Sequence, residues 1–388
     1  MDTRNHLQAN IVAGALTSTH LTIRTLMPLL LGVLAESYAL PEGKLGDLGG
    51  AYSAGATLAA LTSVIWMRGL RMRLPAAVLM VLGVGAFAAI IWTRAYAGML
   101  ALFVLAGIGH GGVFALMIAL LARTEDPNRS YGWQWCLGSV PGVVLLYAVP
   151  VLSTPANAPM VSIGLIVAVN ALIALTILRL PVRLPDLPPR LTGDPTRRLA
   201  AAPSWPVGLA LLAIFTTYSG GTGCWAFLGR IATGAGLGGQ YSGVVLALAT
   251  AVSSLVSLLA GEIGNRAARP VSMGGAVAGM LLGLWLLACG PGEVGYGAGA
   301  IVTIALLGFV LPFLIGIVSR LDVTGRAAGL PAAALGLGAI AGPSIAGHVY
   351  QAAGPAAMLL VSAASLVVGL AAYLAVYGRA FGKRRADA

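Results

Sequence analysis

Stretches of about 20 residues without a single Asp, Glu, Lys or Arg recur along most of this chain. A helix of that length crosses a hydrocarbon core of about 30 Å. Inside lipid every backbone N–H and C=O must find its partner within the protein, which leaves helices or closed barrels. Barrel strands alternate in polarity with period two, whereas these runs are apolar throughout. The chain therefore reads as an all-α integral membrane protein. Charged residues make up 9% of its 388 residues and hydrophobic ones 58%. A soluble domain carries about 25% charged residues, so a soluble enzyme with many buried helices is excluded.

Twelve spans follow from the runs, the first at 8–34 and the last at 356–378. The weakest division lies between the third and fourth, near Arg94–Ala97. Basic residues fall in alternate connections: Arg68, Arg71 and Arg73; Arg123 and Arg129; Arg179 to Arg198; Arg266 and Arg269; Arg320 and Arg326; Arg379 to Arg385. The opposite connections hold only Lys44, Arg94 and Arg230. That asymmetry puts both termini in the cytoplasm of a cell whose inner (plasma) membrane holds the protein. The net charge of +11 is thus topological and points to no nucleic acid partner. The segment 179–204 contains six Pro and five Arg and reads as a cytoplasmic linker. It divides the chain into a six-helix bundle at 1–178 and a second at 205–388. An internal repeat supports the division. Arg123, Asp126, Arg129 and Gly132 after span four match Arg320, Asp322, Arg326 and Gly329 after span ten, with Arg to Arg six residues apart and Arg to Gly three in both. Gly69, Arg71 and Pro75 match Gly264, Arg266 and Pro270. Repeated halves are a transporter architecture.

These features resemble the major facilitator superfamily over essentially the whole chain. The loop Gly261 to Arg269 is similar to the family's cytoplasmic signature Gly-x-x-x-Asp-Arg-x-Gly-Arg, with Asn265 where the family has its acid. Gly338-x-x-x-Gly342-Pro343-x-x-x-Gly347 is similar to the family's glycine–proline patterns. Gly107, Gly109, Gly111 and Gly112 resemble its fourth-helix signature, with Phe103 in place of an arginine that proton-coupled members carry. The resemblance implies two pseudo-symmetric six-helix bundles, a central cavity lined by the first, fourth, seventh and tenth helices, and gating loops built from Arg71, Asn265, Arg266, Arg269, Asp126, Arg129, Asp322 and Arg326.

Ionisable groups at membrane depth are costly, and each is a candidate functional residue. Arg24 lies near the middle of span one, with His20 one turn earlier. Thr17 and Asn10 continue the stripe at intervals of seven. A guanidinium fork holds two oxygens of a carboxylate or phosphate at once, so Arg24 is the candidate substrate anchor. His20, Thr17, His110, Tyr52, Tyr218 and Trp225 are its candidate companions, the last two lying seven apart on span seven. The stretch Ser219 to Gly223 between them can unwind where it lines a cavity. His20, His110 and His348 are the candidate carriers of a co-transported proton, since imidazole titrates near neutrality. Trp133 and Trp135 read as interface aromatics.

Other chemistry is missing from the sequence. It has no phosphate-cradling Gly-x-x-x-x-Gly-Lys-Ser/Thr and no metal-binding spacing of His and Cys. Cys136, Cys224 and Cys289 read as small packing residues. The expected activity is therefore not enzymatic and needs no cofactor: secondary active transport of a small organic anion or zwitterion, with a proton or ion as possible co-substrate and the bilayer as solvent. The alternatives are proton-coupled efflux of amphipathic drugs and a non-transporting receptor on the same fold.

Overall fold

The computed structural model describes residues 3–67, 71–124, 127–154, 156–182, 205–263, 269–289, 292–321 and 330–381. They form α1 (Thr3–Tyr38), α2 (Glu42–Trp66), α3 (Arg73–Ala89), α4 (Tyr96–Leu121), α5 (Pro127–Leu152), α6 (Ala158–Ala174), α7 (Trp205–Gly234), α8 (Gly239–Ile263), α9 (Arg269–Ala288), α10 (Glu293–Leu321) and α11 (Leu330–Phe381). Ten of these are long and apolar enough to cross a membrane, so the protein is a multi-pass integral membrane protein. The eleventh, α2, is diluted by glycine, serine and threonine, which it uses to pack closely between α4 and α11. Between α3 and α4 a 3-10 turn at Ile90–Trp92 and an extended Thr93 make the break near Arg94.

Spans eleven and twelve are one 52-residue helix, α11, interrupted where Gly354 takes φ 81 and ψ 176. Only glycine adopts that conformation at low cost. The arm before Gly354 runs parallel to α7, with Gly338 beside Phe215 and Gly342 beside Gly223. The arm after it returns, with Ser362 beside Gly220 and Gly369 beside Thr217. The chain therefore doubles back at Gly354, and the twelve spans read from the sequence correspond to eleven helices, the last a hairpin.

This alternation defines two ends of the molecule. The starts of α1, α3, α5 and α7 lie at what we call the terminal end, and their last turns lie at the distal end. Helices α1 to α6 pack on one another, chiefly α1 on α5, α2 on α4 and α3 on α4. Helices α7 to α11 do the same, chiefly α11 on α7 and α10 on α8 and α9. Between the sets, α2 meets α11, α5 meets α8 and α1 meets α7.

Small residues set these distances, as they do wherever apolar side chains meet an equally apolar solvent. Gly107 sits against the carbonyl of Tyr52, Gly111 against Ala56, and Gly109 against Gly83. The glycines of α4 thus admit two helices, α2 and α3. A methyl at position 107 meets backbone that cannot yield cheaply. Gly107→Ala is expected to cost about 1–3 kcal/mol of stability, read as a lowered melting midpoint in detergent. An unchanged midpoint would contradict this packing. The Ser219 to Gly223 stretch likewise does not unwind. Helix α7 is continuous there, and its glycines instead let both arms of α11 approach.

Candidate functional site

The polar stripe of α1 does not face one partner. Because α1 is surrounded by α4, α5, α6 and α7, successive polar residues reach different helices. Thr17 is fully buried and accepts a 2.5 Å hydrogen bond from Nε2 of Gln134 on α5. His20 points to α2 and α4. Its Nδ1 lies 3.0 Å from the Tyr52 hydroxyl. Its ring stacks on Tyr52 at 5.6 Å and on Phe114 at 5.2 Å.

Arg24 crosses to the other set of helices. Its Nη2 donates to the hydroxyl of Tyr218 on α7, and its guanidinium lies 5.4 Å from the centre of the Tyr218 ring. The main-chain carbonyl of Arg24 accepts a 3.0 Å hydrogen bond from Trp225 Nε1. Tyr218 and Trp225, one helical face apart by seven residues, therefore grip the side chain and the backbone of the same arginine. Trp225, a candidate companion of Arg24 from the sequence, is thus brought to the Arg24 backbone. Arg24 keeps part of its surface uncovered, while His20, Tyr52 and Tyr218 are buried.

His110 lies deeper in the first set of helices, fully buried. Its Nδ1 is 2.9 Å from the carbonyl of Ala106, which can only accept, so Nδ1 carries the proton of the neutral ring. Nε2 is then the acceptor for Asn170 Nδ2 of α6, at 3.3 Å. Tyr52 stands between the two histidines, its ring 6.5 Å from that of His110. Asn170 was not expected from the sequence. Its signal was a lone amide in an otherwise apolar span.

Phe114 was also missed, and Trp135 was read only as an interface aromatic. Trp135 presents its edge to Phe114 at 6.1 Å and is 48% exposed. Through Phe114 it joins the His20 stack.

His348 is elsewhere, at the distal end. Its Nδ1 lies 2.9 Å from the carbonyl of Ser344 and 3.8 Å from Asp47 Oδ1. Among the gating-loop residues, Arg71 is exposed just before α3. The backbones of Arg129 and Arg269 lie in the first turns of α5 and α9. Asn265, Arg266, Asp126, Asp322 and Arg326 fall outside the described residues.

The distal end is where the two sets of helices close. Arg230 of α7 pairs with Glu42 of α2 at 2.9 Å. Ser344 of α11 donates to Asp47 at 2.9 Å, and the Gly43 N–H donates to Gln351 at 3.0 Å. Gly46 packs on the Pro343 carbonyl, Gly229 on that of Pro28 and Gly243 on that of Leu146. With Arg24–Tyr218 near mid-height, most of the close approaches found between the sets among the described residues run from the middle of the helices to the distal end, while Gly336 of α11 against Thr57 of α2 lies nearer the terminal end.

No protein-family model matches this chain, and no curated protein does. Solved structures match it over nearly its whole length. A point variant of the nucleoside transporter NupG superposes with a TM-score of 0.81 at 14% identity, covering 96% of this chain and 100% of that one. A bacterial homolog of the human lysosomal transporter Spinster, inward-facing and unoccupied, gives 0.76 at 13% identity, covering 99% of each chain. A D-xylose–proton symporter gives 0.72 at 12% identity, covering 96% of each. The chain shares the fold of these solved transporters.

Proposed function

We propose that the chain is a secondary active transporter that carries a small organic anion or zwitterion by alternating access, with Arg24 holding the anionic group. The observation behind this is an uncompensated charge. The side-chain partner of Arg24 is a neutral phenol. The described acids Glu36, Glu42, Asp47, Glu262 and Glu293 all sit within two turns of the ends of their helices. A buried cation without a counter-ion is costly, and a carboxylate or phosphate ligand supplies what is missing. Efflux of cationic drugs fits less well, since no described acid faces Arg24. We assign 1–178 and 205–388 to the two moving bundles and 179–204 to the linker, with both termini cytoplasmic in the inner membrane. In that orientation the distal closure corresponds to an inward-facing state.

A thermal-stability screen of purified protein against organic acids, amino acids, sugars and cationic drugs tests the proposal. A ligand bound only by the native state adds about 2.7 kcal/mol at a hundredfold excess over its dissociation constant. Stabilisation by anions in the wild type and not in Arg24→Ala supports the reading. Equal stabilisation of both proteins by cationic or neutral amphiphiles sinks it.

If a proton is co-transported, we assign it to His20. His110 has both ring nitrogens engaged in packing, and His348 is remote from Arg24. The ionisable groups facing His20 are Arg24 on its own helix, Tyr52 on α2 and, beyond Tyr52, His110 on α4. In vesicles, a proton gradient is expected to drive anion accumulation by the wild type and not by His20→Gln, which retains only passive exchange. Gradient-driven accumulation by His20→Gln rules this carrier out.

A further inference from the structure

We infer that the anion is aromatic: its ring lies against Phe114 and Trp135 while its acid group sits on Arg24. The inference rests on the anion-site reading above and adds a second point of recognition to it.

The argument starts from heights along α1. His20 is four residues before Arg24, so it lies one turn, about 6 Å, nearer the terminal end on the same side of the helix. The His20 ring is covered on one side by Tyr52, nearly parallel at 16°, and on the other by Phe114 at 30°. Tyr52 is fully buried, so that end of the stack is closed. Phe114 is only partly covered, and its neighbour Trp135 meets it edge-on at 72° with about half its own surface open.

Trp135 lies on the same face of α5 as Leu146, eleven residues or three turns on, and the Leu146 carbonyl and Pro150 pack on Gly243 of α8, so this side of α5 turns to the other set of helices. Helix α1 packs on both α4 and α5, and also on α7 of the other set. The level of the His20 stack lies on the terminal side of Arg24–Tyr218; α2 and α11 still approach there, at Thr57 and Gly336, but no hydrogen bond or glycine contact between α5 and α8 is found there among the described residues. Beyond the His20–Phe114 and Phe114–Trp135 contacts, no further ring lies against the open parts of these two side chains among the described residues. Rings pair with rings by offset stacking and edge-to-face contact, and a planar ring fits the angle between Phe114 and Trp135. A saturated ring of equal bulk lacks that complementarity.

Matched probes separate ring recognition from charge recognition. Benzoate and phenylacetate carry the ring; cyclohexanecarboxylate has similar size and the same charge. In the wild type, the aromatic acids are expected to raise the melting midpoint at concentrations about fivefold lower than the saturated acid. Phe114→Leu keeps an apolar side chain and removes the ring. It should erase that difference while leaving cyclohexanecarboxylate binding in place. Benzoate should also quench tryptophan fluorescence in the wild type, with the quench absent from Trp135→Phe, a readout that needs no change in stability. Equal affinity for aromatic and saturated acids, both lost in Arg24→Ala, overturns the ring inference and leaves the anion site standing. If neither acid binds the wild type, the anion-site reading fails and takes this inference with it.

Discussion

Arg24→Ala is expected to abolish anion binding without weakening the fold. Removing one member of a buried, hydrogen-bonded charge pair costs about 2–5 kcal/mol, which is roughly 30-fold to several-thousand-fold in affinity. The unliganded protein should respond differently. The arginine side chain gives up one hydrogen bond to Tyr218, worth about 1 kcal/mol. The Trp225 bond survives, because it is made to the main-chain carbonyl. Against that loss stands relief from a partly buried charge with no counter-ion, which is itself destabilising. The melting midpoint without ligand should therefore hold steady or rise, while the shift produced by an anion disappears. A structural arginine predicts the opposite pair of results: a midpoint lower by several degrees and ligand shifts that persist. Arg24→Lys keeps the charge and loses the fork. It should fall between wild type and Arg24→Ala in affinity.

Gly46→Leu is expected to prevent closure of the distal end. Two kinds of contact hold that end shut, and their magnitudes differ. Arg230 and Glu42 are each about one-fifth exposed, at 22% and 21%, and such pairs contribute about 0–1 kcal/mol. At Gly46 even a Cβ would collide with the carbonyl of Pro343 and crowd Gly347. Overpacking against backbone costs about 1–3 kcal/mol and more for a large side chain, and each 1.4 kcal/mol shifts a two-state population tenfold. Opening the seam relieves this clash, whereas Gly107→Ala has no such escape, because its neighbours belong to the same set of helices. Labelling of Ser344→Cys by a membrane-impermeant thiol reagent should rise at least tenfold in Gly46→Leu, with transport falling by a similar factor. Glu42→Gln should change labelling by less than about fivefold. Equal labelling of Gly46→Leu and its parent would show that the glycine seam does not hold the gate.

The local features of this chain were legible because they are one-dimensional. Charge-free runs of membrane length set the helices, and breaks such as the Arg94 neighbourhood set some of their limits. The spacing of seven put Tyr218 and Trp225 on one face, and the limits of the first span put Arg24 near its middle. The partner of Arg24, 194 residues away on α7, was not legible. Neither were the Phe114–Trp135 wall or the His110–Asn170 bond. In lipid, buried and outward-facing positions are both apolar, so hydropathy does not mark which face of a helix meets protein. An aromatic near a helix end therefore reads as an interface residue whether or not it lines the site. The polar stripe of α1 looked like one surface because sequence spacing ignores neighbours, and packing distributed it among α2, α4, α5 and α7. The glycines of α2, α4, α7 and α11 announced close approach, but only the assembled helices show to what. The amino-acid sequence by itself determined an all-α membrane protein with a cation at its centre. The tertiary structure decided what faces that cation and which end of the molecule is shut, because both depend on contacts between helices far apart in the chain.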